Sequence, residues 1–345
     1  MLIWPADPTY ASQWDGRSDE TFRIAIVSTP RTGNTWLRRM LDAVYSLPHV
    51  VEGDVAGFEW SRLPQRCILQ VHWGPEPDLL ARLEEHDFRV ITLTRHPFDV
   101  LISILHFATL NTESEHWYAG REGDERGLQL ATPSSPEFIG YATGPRARLL
   151  LDVSRQWAAR PDCLVVRYES LVEHPGARLA ELCRRLRPAP EGAVAAAVET
   201  HRLEMQRPNT HNQHFWQGTP GHWRRFLPEA EARTIAAVHA DVLAAGGYAC
   251  DPDPTLTAAR AEAVWHALEL ASLKKECRIA REQVLRLRQA GLEDRVVRLE
   301  AQLEAMRARL EEKTAAVAWR RLRAAPRKLR RWLARRLPGR DPGAG

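Results

Sequence analysis

The stretch Phe22-Arg23-Ile24-Ala25-Ile26-Val27-Ser28-Thr29-Pro30-Arg31-Thr32-Gly33-Asn34-Thr35-Trp36 decides the fold class. Its first six residues are a nearly unbroken apolar run, the pattern of a strand buried on both faces. From Trp36 to Leu47 the apolar positions repeat with a helical period, which predicts a helix. A strand that passes through a short polar turn into a helix leaves the first N–H groups of that helix without internal partners, at its positive end. Such a place binds anions. Gly33 lets a phosphate come close to the backbone, Thr32 and Thr35 add hydroxyl donors, and Arg31 adds fixed charge. The loop departs from the magnesium-nucleotide motif in two ways. The first glycine of that motif is missing, and Asn34 stands where its lysine would be.

Further along, Phe88–Leu93 and Cys163–Val166 read as strands, each followed by a helical pattern, Phe98–Phe107 and Ala177–Leu186. The alternation predicts an α/β fold, a P-loop-like parallel sheet flanked by helices. Thr94-Arg95-His96-Pro97-Phe98-Asp99 places Arg95 at the carboxyl end of its strand, where open α/β sheets bind ligands. Ser103 follows eight residues later, two turns into the next helix. An Arg–Ser pair of this kind suits a second phosphate.

The chain has 345 residues, enough for one to three domains, with 44% hydrophobic and 27% charged residues. That balance excludes disordered and collagenous classes, and no apolar run reaches the ~20 residues of a membrane-spanning helix. Residues 1–20 form a polar leader without a basic region followed by an apolar one, so no secretory signal is expected. Cys67, Cys163, Cys183, Cys250 and Cys277 are widely spaced and form no CxxC, which suggests reduced thiols, a cytoplasmic setting and no zinc.

The net charge of +4 hides a split: residues 1–250 carry −5 and residues 251–345 carry +9. Pro252 and Pro254 mark a linker, so the expected layout is a domain at 21–250, a linker at 251–258, a helical coiled coil at 259–318 and a basic amphipathic tail at 319–345. Leu285, Leu292, Leu299 and Met306 recur every seven residues, and Val296, Leu303, Leu310 and Val317 do so four residues later, a d and a pattern that predicts a homodimer. A single amphipathic helix folded back on the domain is the alternative. Arg320–Arg340 holds ten Lys/Arg and no acid, interleaved with tryptophan and leucine. This suits peripheral contact with an anionic membrane on its inner face; nucleic acid is not the expected partner.

Taken together, these blocks resemble the sulfotransferases that use 3′-phosphoadenosine 5′-phosphosulfate (PAPS). Pro30-Arg31-Thr32-Gly33-Asn34-Thr35-Trp36 is similar to their signature loop, and Arg95 with Ser103 to their second signature. The likeness extends to Gln70-Val71-His72, to Val165-Val166-Arg167-Tyr168-Glu169-Ser170-Leu171, to Glu199-Thr200-His201 and to Gly218-Thr219-Pro220-Gly221-His222-Trp223-Arg224. The resemblance implies a co-substrate, PAPS, and no metal. It implies that residues 31–36 hold the 5′-phosphosulfate, with Arg31 stabilising charge on the bridging oxygen and Trp36 stacking on adenine. Arg95, Ser103 and the backbone at Gly218 would hold the 3′-phosphate, and Tyr168 and Thr200 would touch the adenine end. His72 would be the general base, with Arg31 and Ser103 beside it in catalysis. Gln70 and Trp216-Gln217 stand where relatives carry basic residues; Arg224 or Arg225 is a candidate replacement. Asp99 and Glu169 read as caps or structural partners.

Trp73, Trp117 and Trp216 are candidate acceptor contacts, and 109–145 is a candidate lid. The expected acceptor is a small molecule or a carbohydrate. Ala318-Trp319-Arg320-Arg321-Leu322-Arg323-Ala324-Ala325-Pro326 looks like a segment of bacterial cell-surface polysaccharide enzymes, which favours the carbohydrate. Two other readings stand beside this one: a P-loop-type small-molecule kinase, and a non-catalytic nucleotide-binding scaffold.

Overall fold

The computed structural model describes residues 21–50, 58–109, 125–202 and 218–324. They fall into two compact units that divide after Trp265.

The first unit is built on a five-stranded parallel sheet of order β2-β3-β1-β4-β5. Strand β1 (Phe22–Val27) leads through the Ser28–Gly33 turn into helix α1 (Asn34–Tyr45). Strands β2 (His49–Val50), β3 (Arg66–Val71), β4 (Phe88–Thr94) and β5 (Cys163–Arg167) complete the sheet. Helices α2 (Pro77–Glu85) and α3 (Pro97–Ala108) flank β4 in sequence. Helices α4 (Pro136–Ala142), α5 (Pro145–Ala158), α6 (Tyr168–Glu173), α7 (Pro175–Leu186), α8 (Ala193–Thr200), α9 (Glu229–Val238) and α10 (Ala240–Gly246) follow. Residues Ile24 to Val27 are wholly buried, as the unbroken apolar run requires of a central strand. In register, Val27 lies opposite Val71 of β3, and Ile26 opposite Ile91 of β4.

Because every strand is parallel, all carboxyl ends lie at one edge of the sheet. From β1 the chain first builds outward through β2 and β3, then crosses to the other side for β4 and β5. The reversal falls between β1 and β4, the switch point at which open sheets receive ligands. The loop after β1 carries Arg31, and the turn after β4 carries Arg95.

The long polar segment 109–145 is only partly loop. Its end forms α4, capped by Ser135, whose Oγ accepts from the Phe138 N–H. Residues 110–124, with Trp117, lie outside the described residues.

The linker at 251–258 has irregular backbone up to a long helix, α11 (Ala258–Gln289). The first unit continues past the linker, to Trp265. Trp265 is fully buried, with its ring edge-on to His106 and Phe226. An apolar ring of this size fills the wall of the unit, and proline punctuation in the sequence did not reveal it.

The second unit is a helical hairpin. Gly291, with φ of 68°, turns the chain between α11 and α12 (Glu293–Ala324). Only glycine takes this left-handed conformation cheaply, and here it reverses the chain. The seven-residue repeat therefore does not run on as one helix through Leu285 and Leu292. Leu285 is exposed, and Leu292 sits in the turn. Leu303, Leu299 and Met306 instead pack against Cys277 and Ala280 of the same chain. The hairpin core also holds charge. Glu269 is buried, pairs with Lys313 and lies 3.3 Å from His266 Nδ1. Val317, as a side chain, and the tail beyond residue 324 lie outside the described residues.

Candidate functional site

Gly33 caps α1 with φ of 103°, a conformation that glycine alone adopts readily. A Cβ there would also lie 2.6 Å from the Tyr168 ring. Arg31 takes the left-handed conformation too, with φ of 68°, and it is not glycine. Such strain costs roughly 1–3 kcal/mol and is held by surrounding contacts. The contact here is Arg95, whose Nη1 donates to the Arg31 carbonyl at 2.9 Å.

The side chains of the loop divide into two sets. Thr32 and Asn34 are buried and bond inward: the Thr32 hydroxyl lies 2.8 Å from the Thr29 carbonyl and 2.9 Å from Asn34 Oδ1, while Asn34 Nδ2 donates to the Thr29 carbonyl at 3.1 Å. Their side chains hold the loop in shape, so any contact they make with a ligand is through backbone. The Thr35 hydroxyl has no side-chain bond among the described residues and is half-buried.

Arg31 turns toward α3. Its Nε donates to Ser103 Oγ at 3.1 Å, and its guanidinium carbon lies 4.9 Å from the Phe107 ring centre. Burial and the Arg95 charge pull the Arg31 guanidinium down to about 9. The Arg95 guanidinium sits 4.5 Å over the Tyr168 ring, and its Nε is buried with no hydrogen-bond partner among the described residues. The nearby acids are engaged elsewhere. Asp99 accepts from the Gly221 and Trp223 N–H groups at 2.7 and 2.9 Å. Glu169 accepts from the His96 N–H at 2.8 Å and from the Tyr248 hydroxyl at 3.1 Å. Two guanidiniums and a hydroxyl thus converge where the described carboxylates are committed, an arrangement fitted to a dianion. Both acids serve as the structural partners that their positions predicted.

His72 follows β3. Its Nδ1 lies 2.8 Å from the Ser28 carbonyl, which can only accept, so Nδ1 carries the proton and Nε2 keeps its lone pair. Burial lowers the imidazole to about 4, and Arg31 adds to the lowering against the Ser28 hydrogen bond. The ring is neutral at pH 7 with its free nitrogen able to take a proton.

At the other end of the loop, Trp36 is buried in the core and donates its indole N–H to the His201 carbonyl at 2.7 Å. That bond places Trp36 beside Thr200, which is exposed at the end of α8. The Tyr168 hydroxyl donates to the Gly218 carbonyl at 2.9 Å. The structure therefore brings Tyr168, Gly218, Arg95 and Ser103 to one side of Arg31, with Trp36 and Thr200 toward α8. Trp36 presents at most an edge, since so little of its ring is exposed.

Arg224 does not supply the missing basic residue. It turns to Asp251, with its Nε donating to the Asp251 carbonyl at 3.0 Å. Arg225 is exposed. Trp73 is buried and its carbonyl accepts from Trp157 Nε1; Trp216 lies outside the described residues. Behind the loop, a cavity of about 260 Å³ opens between Thr29, Arg95, Leu151, Ser154, Val242 and Tyr248. Strand β3, which carries His72, escaped the propensity reading because Arg66 and Gln70 break a short apolar run; the histidine was legible only as part of a motif.

A sequence profile described as "Sulfotransferase domain" matches residues 22–246. The chain belongs to the sulfotransferase family, whose reaction is the transfer of a sulfuryl group. Among solved structures, it is similar to mouse sulfotransferase SULT7A1 complexed with PAP, at 15% identity and a TM-score of 0.49, over 70% of this chain and 91% of that one. It is also similar to retinol dehydratase in complex with androsterone and inactive cofactor PAP, at 14% identity and a TM-score of 0.44, over 68% and 84%. The sulfotransferase domain from the curacin biosynthetic pathway matches at 20% identity and a TM-score of 0.32, over 52% and 78%. A search of curated protein sequences returned no match. Among the described residues, no helix is long and apolar enough to cross a membrane.

Proposed function

We propose that this sulfotransferase takes its sulfuryl group from PAPS and delivers it to an acceptor hydroxyl, with His72 as general base. The observation that carries the reading is the convergence of Arg31, Ser103 and Arg95 across the β1/β4 switch point, with a buried Arg95 Nε awaiting an acceptor. These residues fit a nucleotide with a phosphate at each end. The helix start and Thr35 suit the 5′-phosphosulfate; Arg95, Ser103 and the Gly218 backbone suit the 3′-phosphate; Tyr168, Thr200 and the edge of Trp36 suit the adenine end.

When bound, PAPS supplies an activated sulfuryl group with adenosine 3′,5′-bisphosphate as its leaving group. The acceptor oxygen forms a bond to sulfur as the bond from sulfur to the bridging oxygen breaks. His72 Nε2 takes the acceptor proton, while Nδ1 stays bonded to the Ser28 carbonyl. Arg31, fixed by Ser103 and Phe107, stabilises the charge that gathers on the leaving oxygen. It remains protonated throughout, because a bound anion opposes the lowering that burial causes.

The proposed acceptor is a carbohydrate hydroxyl, on the strength of the segment at 318–326. The exposed Leu285 and Val297 of the hairpin support pairing with a second copy, and the basic residues at 320–340 support peripheral contact with anionic lipid at the cytoplasmic face. A transfer assay with ³⁵S-PAPS and extracts of the source cell tests the reading. The expected result is labelled product and adenosine 3′,5′-bisphosphate. Phosphorylation from ATP without PAPS turnover would favour a kinase, and binding without turnover a scaffold.

A further inference from the structure

Helix α1 meets the end of β3 and the residue after it in two rungs, and only the first contains His72. In that rung Asn34 Nδ2 lies 3.4 Å from His72 Nδ1. In the second, Arg38 Nε donates to Gln70 Oε1 at 3.0 Å. Asn34 and Arg38 are four apart on the helix and share a face. Gln70 lies in β3 and His72 one residue past its end, two apart along the chain. Helical side chains lean toward the helix start, so Arg38 runs back toward the loop that begins α1.

Arg38 is half-buried, and burial, then the neighbouring Arg39 charge, lowers its guanidinium from its ordinary value. Asp42 works against that lowering, yet among the described residues Arg38 forms no ion pair. A guanidinium has five N–H donors, and the bond to Gln70 uses only the one on Nε. Its outer fork keeps its donors, in a plane that Gln70 fixes. A cation half stripped of water with no counter-ion is costly, and the cost is recovered when an anionic oxygen arrives.

We infer that Arg38, aimed by Gln70, is a further anion-binding residue of the sulfuryl-transfer site, donating from its outer nitrogens to an oxygen of the sulfuryl group as it passes toward the acceptor beside His72. This rests on the PAPS reading above. Arg38 moves no proton; it stays charged while the bond to the bridging oxygen breaks and the bond to the acceptor oxygen forms. Gln70 is the positioning residue. A cation supplied from the helix does the work that a basic residue at position 70 of the strand would do.

The test compares Arg38→Ala, Arg38→Gln and the double variant Arg38→Ala with Gln70→Lys, which returns a cation from the strand. Binding of PAPS and of adenosine 3′,5′-bisphosphate is measured by calorimetry, and turnover with labelled PAPS; thermal melting reports folding. Losing one such donor costs about 10²–10³-fold in kcat. The expected pattern is that loss for both single variants, with bisphosphate affinity within about two-fold of wild type, since that nucleotide lacks the sulfuryl group. The wild-type preference for PAPS over the bisphosphate should shrink in the single variants, and the double variant should regain at least ten-fold in kcat. If Arg38→Ala melts early, the bulkier Arg38→Gln carries the comparison. An unchanged preference together with turnover near wild type overturns the role of Arg38, as does equal loss for the two nucleotides or a double variant no better than the single one. Wild-type protein that binds neither nucleotide overturns the PAPS reading itself, and the inference with it.

Discussion

Both units bury charge, but they do so in opposite ways. In the hairpin, Glu269 is answered by Lys313 within the same unit, and His266 lies against it. In the sheet unit, Arg31 and Arg95 lie close enough for one to lower the other, while Asp99 and Glu169 are bonded elsewhere. A self-satisfied pair favours one packing and register of the two helices. Two cations brought together while Asp99 and Glu169 bond elsewhere suit an incoming anion. The difference separates a structural use of buried charge from a functional one without any appeal to motif.

The strongest way to break this contrast is at His72. The His72→Ala variant should lose about 10²–10⁴-fold in kcat while its affinity for adenosine 3′,5′-bisphosphate stays near wild type. Steady-state turnover and calorimetry check both halves; turnover within a few-fold of wild type would falsify the base assignment.

Next in size is Arg95. Arg95→Ala removes charge-assisted hydrogen bonds worth roughly 1.5–3 kcal/mol each, so PAPS binding should weaken by about 10–100-fold. A nucleotide lacking the 3′-phosphate should lose far less. Ser103→Ala should show the same selectivity with a smaller loss. Because Arg95 also holds the left-handed Arg31 backbone through its carbonyl, Arg95→Ala should lower kcat as well, which Ser103→Ala should do less.

The hairpin should respond in the other currency, stability. Glu269→Gln leaves the half-buried Lys313 without its counter-charge and should cost about 3 kcal/mol, read as an early melting phase. The turnover of PAPS should not follow. Replacing both partners by apolar residues should restore much of the loss. If Glu269→Gln abolished turnover in a protein that still melted normally, the division of roles drawn here would be wrong.

The pH dependence gives the smallest and sharpest effect. The folded His72 lies near 4, below the ordinary 6.5. Between those values the unfolded chain binds the proton and the folded one does not, so stability rises with pH across this window and is lost as pH falls toward 4. The proposed base, His72, is already neutral at pH 6, so kcat/KM should be flat through neutrality and fall only as pH approaches 4. In kcat the inflection should move upward, because a bound anion favours the imidazolium. A free-enzyme inflection between 6 and 7 would show a solvent-like histidine and contradict the burial seen here.

Much of this was legible in the sequence, but unevenly. Strand β1, its loop and α1 could be read directly, because a central strand is apolar throughout and the polar turn residues mark where the helix begins. Strand β3 and helix α5 could not. The first is interrupted by Arg66 and Gln70, which sit on the half-buried side near an edge. The second carries Arg148, Asp152 and Arg155, whose ion pairs lie within the helix and with Asp241 and mask its apolar face. Thr32 and Asn34 read as ligands by position, yet their side chains are spent on the loop itself. The heptad spacing did not reveal the turn inside it: Gly291, in the left-handed conformation, breaks the helix between Leu285 and Leu299. Trp265 was invisible as part of the first unit because its partners, His106 and Phe226, are far away in sequence. It follows that truncation after Tyr248 should unseat a wall of the sheet unit and lower its melting temperature, whereas truncation after residue 275 should spare it. A truncation after Tyr248 that melts like the longer form would remove Trp265 from that role.

The position of β1 has a consequence for synthesis. It is the first strand of the sheet to be made and it lies at the centre, so both its edges wait for partners encoded later, at Arg66–Val71 and Phe88–Thr94. At about 5–20 residues per second, this most apolar segment spends several seconds unpaired on the ribosome. The bonds from Asp99 to Gly221 and Trp223 and from Glu169 to Tyr248 close only when nearly the whole unit has emerged. The proposed nucleotide site would therefore be among the last parts of the growing chain to be completed.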